Sequence, residues 1–307
     1  MTQRPFKQVD VFTAVPYLGN PPAVVLDGSG LDDDAMQSFA RWTNLSETTF
    51  VLPPTQAGAD YRVRIFTPGG ELPFAGHPTL GTCHSWLQAG GQPAQADVIV
   101  QECAVGLVRI RREPGTSRLA FAAPALKRSA PAPRLLAQVA AALGLKAPQI
   151  LAAQLLDNGP LWLGLLLDDP ETVLQLKPDH RVLAGLDAKV GVAAVYAKAE
   201  APALIGRINR EAQAFGHDAT AVDGFDPDLE VRAFVAPIGV NEDPVTGSLN
   251  ASLAQWLIAD GHMPARYTAS QGLCLQRAGQ VWLARDAEGQ VWVGGETVTC
   301  IDGQVTL

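Results

Sequence analysis

The sequence lacks long hydrophobic runs and clusters of basic residues, and each absence excludes a class of protein. Its most apolar run, LWLGLLL at 161–167, is too short to cross a bilayer and predicts a buried strand. Lys and Arg number 23 against 31 Asp and Glu, which gives a net charge of −8. An acidic chain without a basic run is a poor candidate for binding nucleic acid or an anionic membrane.

Paired cysteines are also missing. The four cysteines, Cys83, Cys103, Cys274 and Cys300, form no CxxC pair, which favours buried free thiols over a disulfide framework. The first residues, MTQRPFKQVDVF, contain no basic segment followed by a long apolar one, so we expect no signal peptide. A cytoplasmic location is the resulting expectation.

Strand patterns dominate what is present. Apolar segments bounded by Gly, Pro and Asp predict strands near 8–15, 61–66, 96–112, 117–124, 189–198, 229–237, 273–286 and 291–300. Helical patterns occur at 32–43, 132–144 and 207–215. A length of 307 residues suggests about two domains. The segment from about 113 to 134, rich in Pro, Ala, Ser and Lys, is the best candidate for their boundary.

A short internal repeat links the two halves of the chain. Residues 64–91 and 232–261 both begin Arg-x-Phe, reach a glycine, pass through Trp-Leu and stop at a second glycine. The first glycines, Gly76 and Gly247, are 171 positions apart, and so are the second ones, Gly90 and Gly261. The repeat therefore predicts a strand, a loop and a helix in each half, with each helix ending at its second glycine.

The beginnings of these two helices point to chemistry. Pro78 suits a first helical turn, and Ser248 suits an N-cap. Two helix N-termini that face one cleft would bind a carboxylate through free backbone N–H groups without any basic side chain. Glycine at 76 and 247 would let the ligand approach the backbone, and His77 and Ser248 would line the cleft.

The sequence resembles the family of the phenazine-biosynthesis isomerase PhzF, whose members share the diaminopimelate-epimerase-like fold. Matching segments follow the family order along nearly the whole chain: VDVFTAVPYLGNPPAVVL (9–26), NLSETTFVLPP (44–54), RIFTPGGELPFAGHPTLGTCH (64–84), DPVTGSLNASLAQWL (243–257) and VWVGGETVTCIDGQVTL (291–307). At 249–250 this chain has Leu-Asn where relatives often have Ala-His, which bears on the identity of the substrate.

The resemblance implies an α+β fold of two pseudo-symmetric lobes, each an open barrel-like, mostly antiparallel sheet wrapped around a central helix. We expect an N-terminal lobe over 1–125 and a C-terminal lobe over 126–307, with the terminal strand able to cross between them. The active site would lie between the lobes. Family members are typically homodimers and need neither a metal nor an organic cofactor.

The resemblance also assigns roles to residues. The family's catalytic carboxylate matches Glu47, and its other active-site residues match His77, Asp243 and Ser248. The backbone amides of Gly76 and Gly247 would hold the substrate carboxylate, and Thr246 and Asn20 are further expected substrate-binding residues. Independently of the family, the apolar residues 50–52 that follow Glu47 suggest partial burial, which raises a carboxyl pKa toward a value suited to a proton shuttle.

These residues predict an isomerase in which Glu47 moves a proton on one face of a small cyclic or unsaturated amino or hydroxy carboxylic acid. Three alternatives remain open. A racemase of the same fold would use two cysteines at the helix mouths, where this chain has His77 and Ser248. A hydrolase would use Ser248, His77 and Asp243, but the chain has no G-x-S-x-G motif. The same residues would also serve a protein that binds a small metabolite without turning it over.

Overall fold

The computed structural model describes residues 2–186, 188–197 and 224–307, so the helix predicted at 207–215 lies outside the described residues. Strands make up most of the regular structure, and the predicted mixed α+β class is confirmed. The strands are β1 (Gln3–Val11), β2 (Pro22–Val25), β3 (Glu47–Leu52), β4 (Tyr61–Thr67), β5 (Gly70–Leu72), β6 (Val98–Cys103), β7 (Gly106–Arg112), β8 (Leu119–Ala122), β9 (Lys127–Ser129), β10 (Ile150–Asp157), β11 (Leu161–Leu167), β12 (Lys189–Val195), β13 (Leu229–Phe234), β14 (Glu242–Asp243), β15 (Arg266–Gln271), β16 (Gly279–Arg285), β17 (Val291–Gly295) and β18 (Thr297–Thr306). The α-helices are α1 (Asp33–Thr43), α2 (Gly76–Gln88), α3 (Pro133–Leu143), α4 (Pro170–Gln175), α5 (His180–Ala184) and α6 (Gly247–Ala259).

The strands form one hydrogen-bonded network in which antiparallel pairs predominate. Parallel pairs occur between β2 and β3, β4 and β6, β11 and β12, and β13 and β15. The last strand, β18, pairs with β1, and β8 pairs with both β7 and β17. The Pro-rich segment at 113–134 therefore contains paired strands as well as turns, and strands from the two ends of the chain lie side by side.

Helices α2 and α6 carry the internal repeat. Each contains 13 residues, and their starts and their ends are both 171 positions apart. Gly90 and Gly261 adopt the left-handed conformation just beyond the two helices, with φ of 93° and 79°. Helix α2 packs against β1, β2, β3 and β8, and α6 packs against β10, β16 and β17. The repeat predicted from the sequence is thus a structural one.

The apolar run at 161–167 forms the buried strand β11. Its alternate side chains belong to two different hydrophobic clusters. Trp162 and Leu166 face the cluster that includes α6, whereas Leu163, Leu165 and Leu167 face a second cluster that includes α3. Because both faces of the strand are covered, nearly every position in the run is apolar.

Several local predictions are wrong, among them the strand predicted over 229–237, which ends at Phe234 and is followed by a 3₁₀ helix at Ala236–Ile238. Residues 273–275, predicted as the start of a strand, form a 3₁₀ helix, and strand β16 begins at Gly279. The cysteines are free, but only Cys83 and Cys103 are buried, and Cys274 is exposed. None of the helices in the described parts of the chain is long and apolar enough to span a membrane.

Candidate active site

The N-termini of α2 and α6 meet at one point in the protein. A methyl group added to Gly247 would lie 3.1 Å from the Cα of Gly76 and 3.3 Å from the backbone nitrogen of His77. A methyl group added to Gly76 would lie 2.6 Å from the ring of Phe121 and 3.2 Å from the Cα of Gly247. A methyl group would clash with Phe121 at Gly76 and make tight contacts with the other helix start at Gly247, which explains why the repeat places glycine at each helix start.

Neither helix is capped by a side chain. The N-cap of α2 is Ala75, which has no capping group, and the N-cap of α6 is Thr246, whose side chain makes no capping hydrogen bond. Ser248 is therefore the second helical residue and not the predicted N-cap. The first N–H groups of a helix have no intrahelical acceptor and carry the positive end of its dipole. Two uncapped N-termini in contact suit an anionic group.

Asp243 is held beside this junction by two hydrogen bonds. The hydroxyl of Thr246 donates to its Oδ2 at 2.5 Å, and the amide nitrogen of Asn20 donates to its Oδ1 at 3.0 Å. The same amide nitrogen donates to the carbonyl of Val245 at 2.9 Å and lies 3.4 Å from Nδ1 of His77. Asn20 therefore connects His77, from the N-terminal half of the chain, with Asp243 and Val245, from the C-terminal half.

Glu47 and His77 face each other across the site. Oε2 of Glu47 lies 3.2 Å from Nε2 of His77, although the two groups are not aligned for a hydrogen bond. Only 14% of the Glu47 side chain and 6% of the His77 side chain are exposed. Because Asn20 presents a donor to Nδ1, the geometry favours the neutral imidazole with its proton on Nε2.

The protonation of these groups follows from burial. Loss of hydration raises the pKa of Glu47 to about 7 and lowers the pKa of His77 to about 4. Burial also raises the pKa of Asp243 to about 6, and the nearby carboxyl of Glu47 adds to this increase. Near neutral pH, Glu47 can therefore either accept or donate a proton, while His77 stays uncharged.

A buried amide network supports the start of α6. Gln271 accepts from the backbone N–H of Thr246 at 3.0 Å and donates to the backbone carbonyl of Asp243 at 3.0 Å. Asn250 donates to Gln271 at 2.8 Å and to the carbonyl of Thr246 at 3.0 Å, while Leu249 packs against Gly191 of β12. Leu249 and Asn250, the two residues that depart from the family pattern, thus support the start of α6 from its buried side.

Sequence reasoning missed two residues beside α6. Asn158 donates to the carbonyl of Ser248 at 2.9 Å, and its own Oδ1 is buried without a partner. Lys189, at the start of β12, lies close enough to Glu47 for its positive charge to lower the pKa of that carboxyl, and the charges of Asp243 and Glu47 in turn raise the pKa of Lys189. Its ammonium lies 5.6 Å from the centre of the Trp162 ring. No motif marks these positions, since strand pairing alone brings them to the site.

The expected site residues are thus brought together from both halves of the chain. Glu47, His77, Asp243, Asn20 and Thr246 are connected by the contacts above, and Gly76 touches Gly247. Ser248 lies in the first turn of α6 and is partly exposed. Among the described residues, no hydrogen bond joins Ser248 to His77, and no group of three or more His, Cys, Asp and Glu side chains is arranged to hold a metal ion.

Comparison with known proteins gives consistent matches over the whole chain. The family model described as phenazine biosynthesis-like protein (PhzC-PhzF) matches residues 9–303. The Schizosaccharomyces pombe protein named Antisense-enhancing sequence 1 is 34% identical, with 99% of each chain covered. The trans-2,3-dihydro-3-hydroxyanthranilate isomerase of Pseudomonas aeruginosa is 32% identical over 97% of this chain and 98% of its own. The crystal structure of a Bacillus anthracis phenazine biosynthesis protein of the PhzF family superposes with a TM-score of 0.78 at 22% identity, and all of both chains is covered.

Proposed function

Since the chain belongs to the phenazine biosynthesis-like (PhzC-PhzF) family, which includes named isomerases, we propose that it moves a proton on a small cyclic or unsaturated carboxylic acid bearing an amino or hydroxyl group. One observation carries this proposal. Glu47, with a pKa of about 7, is buried against a neutral imidazole and beside two uncapped helix N-termini. Such a carboxyl is suited to both removing and returning a proton near neutral pH.

In the proposed reaction, the N–H groups at Gly76 and Gly247 bind the substrate carboxylate and fix the ring in the cleft. Ionised Glu47 removes a proton from an allylic or α carbon, and the electron pair left behind delocalises into the adjacent double bond. Protonated Glu47 then returns the proton to another carbon on the same face. Both steps conserve atoms and charge, and the double bond changes position.

The other polar groups position the substrate and stabilise developing charge. Neutral His77, with its proton on Nε2, can donate a hydrogen bond to an oxygen that becomes negative during the transfer. Asp243, oriented by Asn20 and Thr246, can accept a hydrogen bond from a substrate amino or hydroxyl group. The hydroxyl of Ser248, in the first turn of α6, provides a further donor beside the carboxylate.

We also infer that residues 1–125 and 126–307 form two lobes around α2 and α6, with the cleft between them. The equal lengths of the two helices and their 171-residue spacing support this division. The pairing of β18 with β1 is what a terminal strand that crosses between lobes would give. A cytoplasmic homodimer remains part of the proposal.

The alternatives have less support from the site. A two-cysteine racemase needs thiols at the helix mouths, but Cys83 is fully buried in α2, and burial raises its pKa to about 12. A serine hydrolase needs a base beside Ser248, and His77 instead faces Glu47 and Asn20. A protein that only binds a metabolite would not need a carboxyl with a pKa near 7.

Proton exchange distinguishes an isomerase from a binding protein. We would incubate the wild-type protein in D₂O with a panel of cyclic unsaturated amino and hydroxy acids, including trans-2,3-dihydro-3-hydroxyanthranilate, and follow carbon-bound deuterium by NMR. Binding of each acid would be measured in parallel by calorimetry. The proposal expects at least one acid to be both bound and isomerised with solvent deuterium incorporated. Binding without any exchange or isomerisation across the panel would contradict it and favour the binding protein.

A further inference from the structure

We propose that Lys189 is a further substrate-binding residue, whose ammonium group holds an oxygen of the substrate carboxylate at the mouth of α6. This inference rests on the proposed function and adds to it a charged partner for the acid. In that function, the anion is bound only by uncharged donors, which are the backbone N–H groups and the hydroxyl of Ser248. Lys189 lies on none of the matching family motifs, and only the strand pairing brings it to the site.

The register of the sheet determines the direction of the Lys189 side chain. Lys189 pairs with Trp162 of β11, and Gly191, two residues further on, pairs with Gly164 of β11 and Ala233 of β13. Residues two apart on a strand share a face, as do directly paired residues. Because an added methyl group on Gly191 would meet Leu249 of α6, this face of β12 is the one that carries α6.

Asp243 projects from the same face. It pairs with Ala233 on β13, which in turn pairs with Gly191 on β12. With strands about 4.8 Å apart and about 3.3 Å of rise per residue, the Cα atoms of Lys189 and Asp243 are about 12 Å apart. The two side chains therefore extend from the same face toward a common region, and they form no ion pair with each other.

The position is unusual for a lysine. The next two inner-face residues of β12 are Gly191 and Ala193, which are both buried, while the alternate residues Val190 and Val192 pack into the second hydrophobic cluster. Among the described residues, Lys189 makes no hydrogen bond or ion pair, and its ammonium has only the ring of Trp162 as an aromatic neighbour. A partly buried ammonium without an anionic group in direct contact is destabilised by desolvation, and a bound carboxylate would supply that contact.

Charge balance leads to the same conclusion. Glu47 and Asp243 both face the cleft, and an anionic substrate adds a third negative group. Lys189 is a cation near both carboxyls, since its positive charge favours the ionised form of Glu47, and Asp243 and Glu47 raise its pKa against the larger lowering by burial. Binding an acid in this cleft without a cation would place like charges together in a region poor in water.

The test compares two ligands that differ only in the carboxylate. We would measure the affinity of 3-hydroxyanthranilate and of 2-aminophenol by calorimetry for wild type, Lys189→Met, Lys189→Arg and the control Lys177→Met. Methionine keeps an unbranched side chain, one atom shorter than lysine, and removes the charge. Lys177 is exposed, between α4 and α5. The same variants would be assayed for kcat and KM with any acid that the wild type isomerises, and their thermal unfolding would be recorded.

Lys189→Met is expected to bind 3-hydroxyanthranilate at least about tenfold more weakly than wild type, while its affinity for 2-aminophenol is unchanged. Lys189→Arg should recover part of the affinity for the acid, and Lys177→Met should not change either affinity. KM is expected to rise more than kcat falls. Unchanged affinity for the acid, or an equal loss for both ligands, would overturn the role of Lys189 and leave the proposed function intact. If the wild type binds neither 3-hydroxyanthranilate nor any other acid of the panel, the proposed function fails, and this inference fails with it.

Discussion

Replacing Glu47 with glutamine should make the protein more stable at alkaline pH, because the native site holds this carboxyl in an unfavourable environment. Burial raises its pKa from 4.5 to about 7. A carboxyl with a raised pKa binds its proton more tightly in the folded state than in the unfolded chain. Below pH 4.5 it is protonated in both states and folding is not affected. Above about pH 7 it is ionised in both, and the folded state bears the full cost of a buried charge.

The size of the effect follows from the pKa difference. Each pKa unit corresponds to about 1.4 kcal/mol, so the shift of Glu47 corresponds to about 3 kcal/mol. Wild-type stability attributable to this group therefore decreases as the pH rises from 4.5 to about 7 and then levels off. A glutamine side chain at this position has no proton to lose and avoids the cost. The variant should be about 3 kcal/mol more stable than wild type at pH 8 and equally stable near pH 4.

Urea unfolding of wild type and Glu47→Gln between pH 4 and pH 9 measures this difference directly. Glu230, whose pKa is also raised, is present in both proteins, so its titration largely cancels. The pKa of Asp243 should be lower in Glu47→Gln, because the carboxyl of Glu47 contributes to its increase. Glu288→Gln, in an exposed turn, is the matched control and should not change the pH dependence. A difference between Glu47→Gln and wild type that is constant across this pH range would refute the assignment of a raised pKa to Glu47.

Three further predictions concern the same site. The kcat/KM of the isomerase should increase with pH through about 7 as Glu47 ionises. His77 should add no second transition between pH 6 and 8, because burial lowers the pKa of that imidazole to about 4. A decrease in kcat/KM over this range would contradict the role of ionised Glu47. Gly247→Ala should cost about 1–3 kcal/mol in urea unfolding and weaken acid binding in calorimetry, since its methyl group would lie 3.1 Å from the Cα of Gly76. Gly303→Ala, with no atom within 4 Å of the added methyl, is the control and should change neither stability nor acid binding. Full affinity for the acid in Gly247→Ala would argue against the contact between the helix starts. Cys83→Ala should keep its proton exchange in D₂O, because burial raises the thiol pKa to about 12; loss of exchange in a folded Cys83→Ala protein would return the two-thiol racemase to consideration.

Much of this architecture could be predicted because its signals are local. The acidic first turn of α1, with Asp32 accepting from the backbone of Ala35, and the Ala/Leu-rich α3 with Gly144 after it were readable from pattern and capping alone. The repeat around Gly76 and Gly247 was readable because both helices need glycine for the same steric reason. The 3₁₀ helix at 273–275 could not be predicted, because such a turn leaves no periodic pattern in the sequence.

The site could be predicted only as far as its motifs extend. Glu47, His77 and Asp243 lie in recognisable segments, and the structure places them together. Lys189 lies in a segment that shows only strand character, and Asn158 and Gln271 lie in no recognisable motif. Their position at the site depends on the pairing of strands, such as β11 with β12 and β13 with β15. Ser248 was assigned as an N-cap because serine favours that position, but the structure gives the position to Thr246.

The most direct test of the central claim is proton exchange by Glu47→Gln. With an acid that the wild type isomerises in D₂O, NMR would compare deuterium incorporation and isomerisation in wild type, Glu47→Gln and the control Glu288→Gln. Because the stability prediction makes Glu47→Gln at least as stable as wild type near pH 8, unfolding would not explain a loss of activity. The proposed mechanism predicts that both rates fall at least about a hundredfold in Glu47→Gln and are unchanged in Glu288→Gln. Undiminished exchange in Glu47→Gln would show that another group moves the proton.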